Sequence, residues 1–288
     1  MDSIVLKSYG KINLGLDVVK RRPDGYHEVR MIMQTVGLYD TLTMKKQKKD
    51  EITMRCDLSF LPTDQKNLVY QAAALMKEKY GISAGVEIDL RKRIPVAAGM
   101  AGGSSNCAAA IKGMNQIFDL KLSTEEMCEI GVSLGADVPY CIWGGTALAE
   151  GIGEKLTRIS PMPDCQILIA KPGISVSTAF VYKNLPLDQL QHHPDIDGML
   201  RNLEEKDLDG ICSKLENVLE TVTIPRYPII RQIKEHLLTM GAEGALMSGS
   251  GPTVFGIFKE KKTAKKALES LRSIQEVKQA YVVEPVQQ

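Results

Sequence analysis

From position 4 to about position 60, apolar and polar residues alternate in short runs, most plainly in Ile12-Asn-Leu-Gly-Leu-Asp-Val-Val19. That period belongs to consecutive strands with one face turned to a core. Lys20-Arg-Arg-Pro-Asp-Gly-Tyr-His27 interrupts the alternation, and Pro23-Asp24-Gly25 carries a turn signature. The charged segment at 45–50 reads as a solvated hairpin tip. The period then changes: Leu68, Val69, Ala72, Leu75 and Met76 share one face of a helix that begins at Asn67 and stops at Gly81. Val86-Glu-Ile-Asp-Leu90 returns to a strand. A glycine-rich run leads into a helix from about 105 to 118, and Ser123-Thr-Glu-Glu126 is a capping box that starts another. Two prolines in Ser160-Pro-Met-Pro163 mark a boundary. Beyond it the pattern predicts strands at 165–170, 245–248, 253–258 and 279–283, and helices at 207–219, 227–240 and 263–271. No fixed-period repeat is visible. The chain reads as α+β with two lobes, residues 1–160 and 161–288.

Composition narrows the function classes. A length of 288 residues with 44% hydrophobic positions suffices for one large core or two ordinary ones. Thirty-six Lys+Arg against thirty-five Asp+Glu leave a formal charge of +1, so nothing global calls for nucleic acid or a membrane surface. The six cysteines are widely spaced with no C-x-x-C pair, which predicts buried or half-buried thiols in a reducing compartment rather than disulfides or a metal cluster. No apolar run reaches membrane-spanning length and the Met1-Asp-Ser start lacks a signal-peptide pattern, so a cytoplasmic protein is expected.

The richest chemistry lies in Pro95-Val-Ala-Ala-Gly-Met-Ala-Gly-Gly-Ser-Ser-Asn-Cys-Ala-Ala-Ala110. Glycines at 99, 102 and 103 allow close backbone approach, and the free N–H groups opening the next helix favour an anion. The run lacks the Gly-Lys-Ser/Thr ending of a P-loop and the spacing of a dinucleotide fold. Lys11 and Asn13, two apart on a strand, share a face. Asp137 lies in Gly135-Ala-Asp-Val-Pro139. Singly, Lys11 is a solvated charge and Asp137 a turn former. Together with the loop they supply what phosphoryl transfer needs: a phosphate cradle, a cation at the transferred group and a carboxylate to accept a proton. Mg²⁺ would accompany such a reaction, with the hydroxyls of Ser104 or Ser105 nearest to hand. The cluster Met247-Ser-Gly-Ser-Gly-Pro-Thr253 reads equally as a hairpin bend or as an active-site wall.

Gly10-Lys-Ile-Asn-Leu14, residues 95–110 and Ser248-Gly-Ser-Gly-Pro252 together resemble, in order and spacing, the three motifs of the GHMP small-molecule kinase superfamily. Arg22-Pro-Asp-Gly-Tyr-His27, Gly135-Ala-Asp-Val-Pro139 and Gly144-Gly-Thr-Ala-Leu-Ala-Glu-Gly-Ile-Gly-Glu154 are similar to the branch that acts on a cytidine-diphosphate-linked methylerythritol in the non-mevalonate isoprenoid pathway. The resemblance spans about 7–258. It implies ATP-dependent phosphorylation of that compound's 2-hydroxyl. Asp137 would be the catalytic base and Lys11 would stabilise the transferring phosphoryl group. Asn13, Tyr26, His27, Thr178 and Tyr182 would bind the substrate, with the aromatic residues recognising cytosine by stacking and hydrogen bonding. Pro95, Val96, Ala97, Ala98, Gly99, Met100, Ala101, Gly102, Gly103, Ser104 and Ser105 would wrap ATP. Asn106 would lie at the phosphates, Asn67 and Lys92 near the nucleoside, and Ser105 at the metal. The fold implied is an N-terminal lobe with a left-handed β-α-β crossover and a ferredoxin-like C-terminal lobe, with the active site between them, as a monomer or weak homodimer. Ala101 stands where the superfamily usually has glycine, Ala98 where glycine is frequent and Met100 where leucine is usual.

Two other readings stay open at this stage: a kinase of the same superfamily for homoserine or a mevalonate-type alcohol, and a catalytically silent binding protein on this fold. Elsewhere, His192-His193 before Pro194 reads as an exposed loop, His236 as helix surface, Trp143 as packing and Lys259-Glu-Lys-Lys262 as a solvated turn.

Overall fold

The computed structural model describes residues 2–190 and 192–287. By contact the chain forms two compact units. The first holds the chain up to Gly10, Leu38–Val96 and Ala101–Trp143; the second holds Lys11–Gly37, Ala97–Met100 and the chain from Gly144 onward.

The first unit contains parts of β1 (Ser3–Arg21) and β2 (His27–Gln47), then β3 (Ile52–Cys56), α1 (Leu68–Lys79), β4 (Gly85–Arg91), α2 (Gly102–Ile117), α3 (Thr124–Val132) and α4 (Val138–Trp143). The alternation over 4–60 therefore resolves into two long strands and one short one. β2 pairs antiparallel with β4, Thr41 opposite Arg91, and β4 pairs parallel with β3, Ile52 opposite Val86. Parallel neighbours need a crossover, and α1 supplies it. The 45–50 segment is thus not a hairpin tip: Lys45, Lys46 and Gln47 remain in β2, and β4 rather than β3 is the next strand beside it. Local charge marks the turn but cannot reveal which strand pairs across it. Helix starts are local, and they hold. Asn67 Oδ1 accepts from Val69 N at 2.9 Å, Ser123 and Glu126 complete the capping box, and Gly81 adopts φ +60 after α1. α2 begins at Gly102, earlier than its first apolar residues indicate. Its buried alanines and Met114 pack with Val69, Ala72, Met76 and Ile88 in one core.

The second unit adds β5 (Thr146–Gly151), β6 (Lys155–Arg158), β7 (Gln166–Pro172), α5 (Thr178–Lys183), α6 (Ile196–Glu204), α7 (Leu208–Ser213), β8 (Glu216–Asn217), α8 (Glu220–Arg226), α9 (Ile229–Thr239), β9 (Gly244–Met247), β10 (Val254–Phe258), α10 (Lys261–Leu271) and β11 (Val277–Val283). The order β11-β7-β10-β9, antiparallel throughout, with α9 and α10 between its strands in sequence, is the ferredoxin-like arrangement that the resemblance implies. Ser160–Pro163 joins β6 to β7 within this unit and carries neither helix nor strand.

Two expectations fail here. The helix expected at 207–219 ends at Ser213, because Asn217 is drawn into β8 beside Leu16 and its amide bonds to the carbonyls of Met247 and Gly249, both at 2.8 Å. His236 is half-buried on α9, and its Nε2 finds no partner among the described residues. Trp143 is half-buried at the end of α4, His192 and His193 pair with Glu216 and Asp17, and Lys259 is exposed and pairs with Asp209. All six cysteines are free. Burial pushes the thiols of Cys107, Cys165 and Cys212 up to about 12 and that of Cys128 up to about 11.

Thr253 is fully buried just before β10, and its Oγ1 also finds no partner among the described residues. An unsatisfied buried hydroxyl costs free energy that the near-isosteric valine avoids. Thr253→Val is therefore expected to raise stability by about 1 kcal/mol, a shift of roughly 2 °C in Tm. A lower Tm in thermal unfolding would mean that the hydroxyl has a partner after all.

Candidate active site

In the first unit the glycine-rich run becomes the start of α2. Ala101, the N-cap residue, sits at φ 54 in the left-handed region and gives no side-chain cap. The first helical bond is Ser105 N–H to Ala101 O at 2.8 Å, so the N–H groups of Gly102, Gly103 and Ser104 have no acceptor within the helix. No acidic residue occupies that first turn. Free donors and the helix dipole together favour an anion at this helix start.

Ser104 is half-buried, and its hydroxyl is engaged by no other group among the described residues. Ser105 is different. Its buried Oγ donates to Tyr9 O at 2.6 Å and accepts from Ser8 Oγ at 2.8 Å. Asn106 is buried too: its Nδ2 donates to Ser8 Oγ and to Asp40 Oδ2, each at 2.8 Å, and its Oδ1 accepts from Lys92 Nζ at 2.9 Å. Lys92 forms an ion pair with Asp40, its side chain 4% exposed. Asn67 spends its amide on the cap of α1 and on Pro62 O at 2.7 Å. Asp137 is half-buried in the turn between α3 and α4, and its carbonyl accepts from Cys141 N at 3.1 Å. A Cβ at Gly135 would lie 3.9 Å from Ser104 Oγ, so this turn runs beside the first turn of α2.

In the second unit Lys11 and Asn13 point the same way from β1, as their spacing predicts. Lys11 Nζ donates to Asn13 Oδ1 at 2.6 Å, and both residues are buried. The backbone N–H of Lys11 donates to Met100 O at 3.1 Å, joining the strand to the 97–100 part of the glycine-rich run. Ser248 Oγ donates to Gly99 O at 2.9 Å, and a Cβ at Gly249 would lie 3.2 Å from Gly99 O and 3.6 Å from Asn13 Oδ1. The third glycine cluster is therefore the bend between β9 and β10, and it packs against Gly99 and Asn13.

The His27 and Tyr182 rings lie 5.2 Å apart, tilted by 41°. Tyr26 is 61% exposed, with its backbone N–H held by Asp24 Oδ1 at 3.0 Å. Among the described residues Tyr26 stacks on no ring, which leaves its face open to a flat base. Thr178 opens α5, the helix that carries Tyr182, and its Oγ1 lies 2.8 Å from Ser250 Oγ. Burial, with Arg21 adding to it, holds His27 below its ordinary 6.5, so the ring is neutral at neutral pH.

The sequence matches the profile of the GHMP kinases N terminal domain over residues 67–145 and that of the GHMP kinases C terminal domain over residues 199–276. A 4-diphosphocytidyl-2-C-methyl-D-erythritol kinase of Lachnospira eligens is 53% identical over 284 residues, spanning 99% of each chain. One of the same name from Acetivibrio thermocellus is 50% identical over 95% of this chain and 96% of its own.

The chain belongs to the GHMP kinases, in the 4-diphosphocytidyl-2-C-methyl-D-erythritol kinase branch.

A crystal structure of a 4-(cytidine 5'-diphospho)-2C-methyl-D-erythritol kinase superposes with a TM-score of 0.85 at 29% identity, covering 98% of this chain and 99% of its own. A homoserine kinase from Cytophaga hutchinsonii reaches 0.77 at 21% identity, covering 100% and 96%, and shares the fold. As a small-molecule kinase of this family, the chain uses ATP. Among the described residues no helix is long and apolar enough to cross a membrane, and no group of three His, Cys, Asp or Glu is arranged to hold a metal ion.

Sequence reading missed three residues that brace these segments. Asp40 is fully buried on β2, Ser8 links Ser105 to Asn106, and Asn217 holds the bend after β9. Asp40 left a signal: it shares the parity of Leu38, Leu42 and Met44, so the strand pattern turns a carboxylate inward. Asn217 left none, because its partners are thirty residues or more away in sequence.

Proposed function

We propose that this kinase transfers the γ-phosphoryl group of ATP to the 2-hydroxyl of 4-diphosphocytidyl-2-C-methyl-D-erythritol, giving the 2-phosphate and ADP, in the non-mevalonate route to isoprenoid precursors. The observation that carries the choice of acceptor is the neutral His27 ring against Tyr182 with Tyr26 left open beside them, a set suited to a pyrimidine base. In this reading the face of Tyr26 stacks on cytosine, Tyr182 lies on its other side and His27 hydrogen-bonds its edge. Asn13 and Thr178 orient the rest of the acceptor.

Asp137 takes the proton of the 2-hydroxyl as that oxygen attacks the γ-phosphorus, and the bond to the β–γ bridging oxygen breaks toward ADP. The Lys11 ammonium, aimed by Asn13, neutralises charge on the transferring group. Residues 95–106 cradle the nucleotide, with the N–H groups of Gly102, Gly103 and Ser104 turned to phosphate oxygens. Asn67 and Lys92 wall the nucleoside side, their polar ends already spent inside the fold.

The donor set bears on Mg²⁺. Ser105 does not fit a metal ligand, because its hydroxyl is buried and committed to Tyr9 and Ser8; Ser104 is the hydroxyl that fits. A Mg²⁺ accompanying ATP would neutralise phosphate charge, coordinated mainly by phosphate oxygens and water. A reducing cytoplasm suits the six free thiols.

The test is ATP consumption with 4-diphosphocytidyl-2-C-methyl-D-erythritol, homoserine and mevalonate compared. Turnover is expected with the cytidine compound alone. Its KM should stay flat at neutral pH and climb as pH falls below 6.5, when His27 gains a proton, while the KM for ATP should not follow. Turnover with homoserine or mevalonate instead would discard the acceptor, and a KM indifferent to acid would remove His27 from base recognition.

A further inference from the structure

We infer that Asp40 is a positioning residue for the nucleotide, a single buried carboxylate that fastens both ends of the glycine-rich loop. The inference rests on the reading of that loop as the ATP cradle. Asp40 is 0% exposed on β2, so it acts only through its neighbours. A buried carboxylate is costly unless its lone pairs are used, and these are. Oδ1 accepts the N–H of Arg93 at 2.6 Å and that of Ile94 at 2.8 Å. Oδ2 accepts from Asn106 Nδ2 at 2.8 Å and pairs with Lys92 Nζ.

Arg93 and Ile94 are the last two residues before Pro95, where the loop leaves β4. Asn106 lies in the first turns of α2, where the loop ends. One side chain therefore fixes where the run departs and where the helix begins, and with that the direction of the free N–H groups of Gly102, Gly103 and Ser104. Asn106 extends the hold through Ser8 to Ser105, whose hydroxyl is fixed on Tyr9 O. An apolar residue at position 40 could fill the same space, but it could not aim two backbone amides and a helix start at one point. Directed hydrogen bonds are what the carboxylate adds.

The test is ATP binding by titration calorimetry on the full chain, with binding of the cytidine acceptor measured in parallel and Tm recorded for every variant. Asp40→Ala is expected to weaken ATP by about tenfold or more and to leave the acceptor within about twofold. Asp40→Asn keeps an oxygen for Arg93 N and Ile94 N. Its amide NH2 cannot accept from Asn106 Nδ2 or Lys92 Nζ, so the helix end is released while the Pro95 end stays held: ATP affinity should fall between those of wild type and Asp40→Ala, with a lowered Tm. A purely structural role would lower Tm in both variants and leave ATP affinity unchanged in the folded protein, which would overturn the inference. Should Asp40→Ala not fold, Asp40→Glu decides. Its carboxylate, one methylene further out, retains the ion pair with Lys92 but displaces the two backbone bonds, so ATP should weaken by about fivefold or more; unchanged affinity in folded Asp40→Glu overturns the inference equally. Wild-type protein that failed to bind ATP would instead refute the cradle reading itself, and the inference with it.

Discussion

Asp137→Asn is expected to lower kcat by about 10²- to 10⁴-fold while the dissociation constant for ATP stays within about twofold, because the amide keeps the shape of the carboxylate but cannot take a proton. The turn that carries Asp137 depends on Gly135 beside Ser104 and on the Asp137 carbonyl opening α4, and neither involves the carboxylate oxygens. The substitution should therefore leave the start of α2 undisturbed. Single-turnover measurement of phosphoryl transfer separates this from an effect on product release. A variant that turned over at the wild-type rate would take Asp137 out of the mechanism and return the search to other carboxylates.

Gly99→Ala is the second large effect, and it is steric. Gly99 sits at φ +73, and a Cβ there would lie 2.1 Å from the carbonyl oxygen of Ser248, a backbone atom that cannot swing aside. The left-handed conformation alone is not prohibitive in this run, since Ala97 and Ala101 adopt φ 49 and 54 as alanines. Space decides. To admit the methyl group, either 97–100 or the bend after β9 must move, and the Ser248 Oγ bond to Gly99 O is lost with the shift. The bend is itself pinned by the two bonds from Asn217 to Met247 and Gly249. A stability loss above about 3 kcal/mol and ATP binding weaker by about tenfold or more are expected, read by denaturant unfolding and calorimetry. Unchanged values in both would mean that the two segments are not braced against each other.

What the sequence discloses follows the range of the interaction involved. Asn67, Ser123 with Glu126, and Gly81 act within a few residues, and each helix boundary they mark is where it should be. Lys11 and Asn13 need only the strand period to share a face. The βαββαβ order of the second unit is likewise legible from alternating patterns. Strand neighbours are not local, so the turn after β2 looked like a hairpin although β4 lies alongside. The helix expected at 207–219 fails for the same reason: Leu215, Val218 and Leu219 carry a helical period, but Asn217 gains more from two distant carbonyls than from another helical turn. At the site, the motif residues were legible as chemistry, whereas their commitments were not. Ser105, Asn106, Asn67 and Lys92 look like ligand contacts on paper, and in the fold each has polar atoms already occupied.

Four of the six thiols carry a practical consequence for anyone wishing to attach a probe. Alkylating reagents react with the thiolate, and at pH 7.5 a thiol with a pKa of about 12 exposes fewer than about one ionised molecule in ten thousand. Cys107, Cys165 and Cys212 are thus nearly invisible to maleimides in the native protein, Cys128 is little better, and burial raises Cys56 as well. A cysteine introduced at an exposed loop position such as Phe60, 70% exposed, would outpace Cys107, Cys128, Cys165 and Cys212 by orders of magnitude. The native chain would then take a fluorophore at a chosen place without first having those four thiols removed.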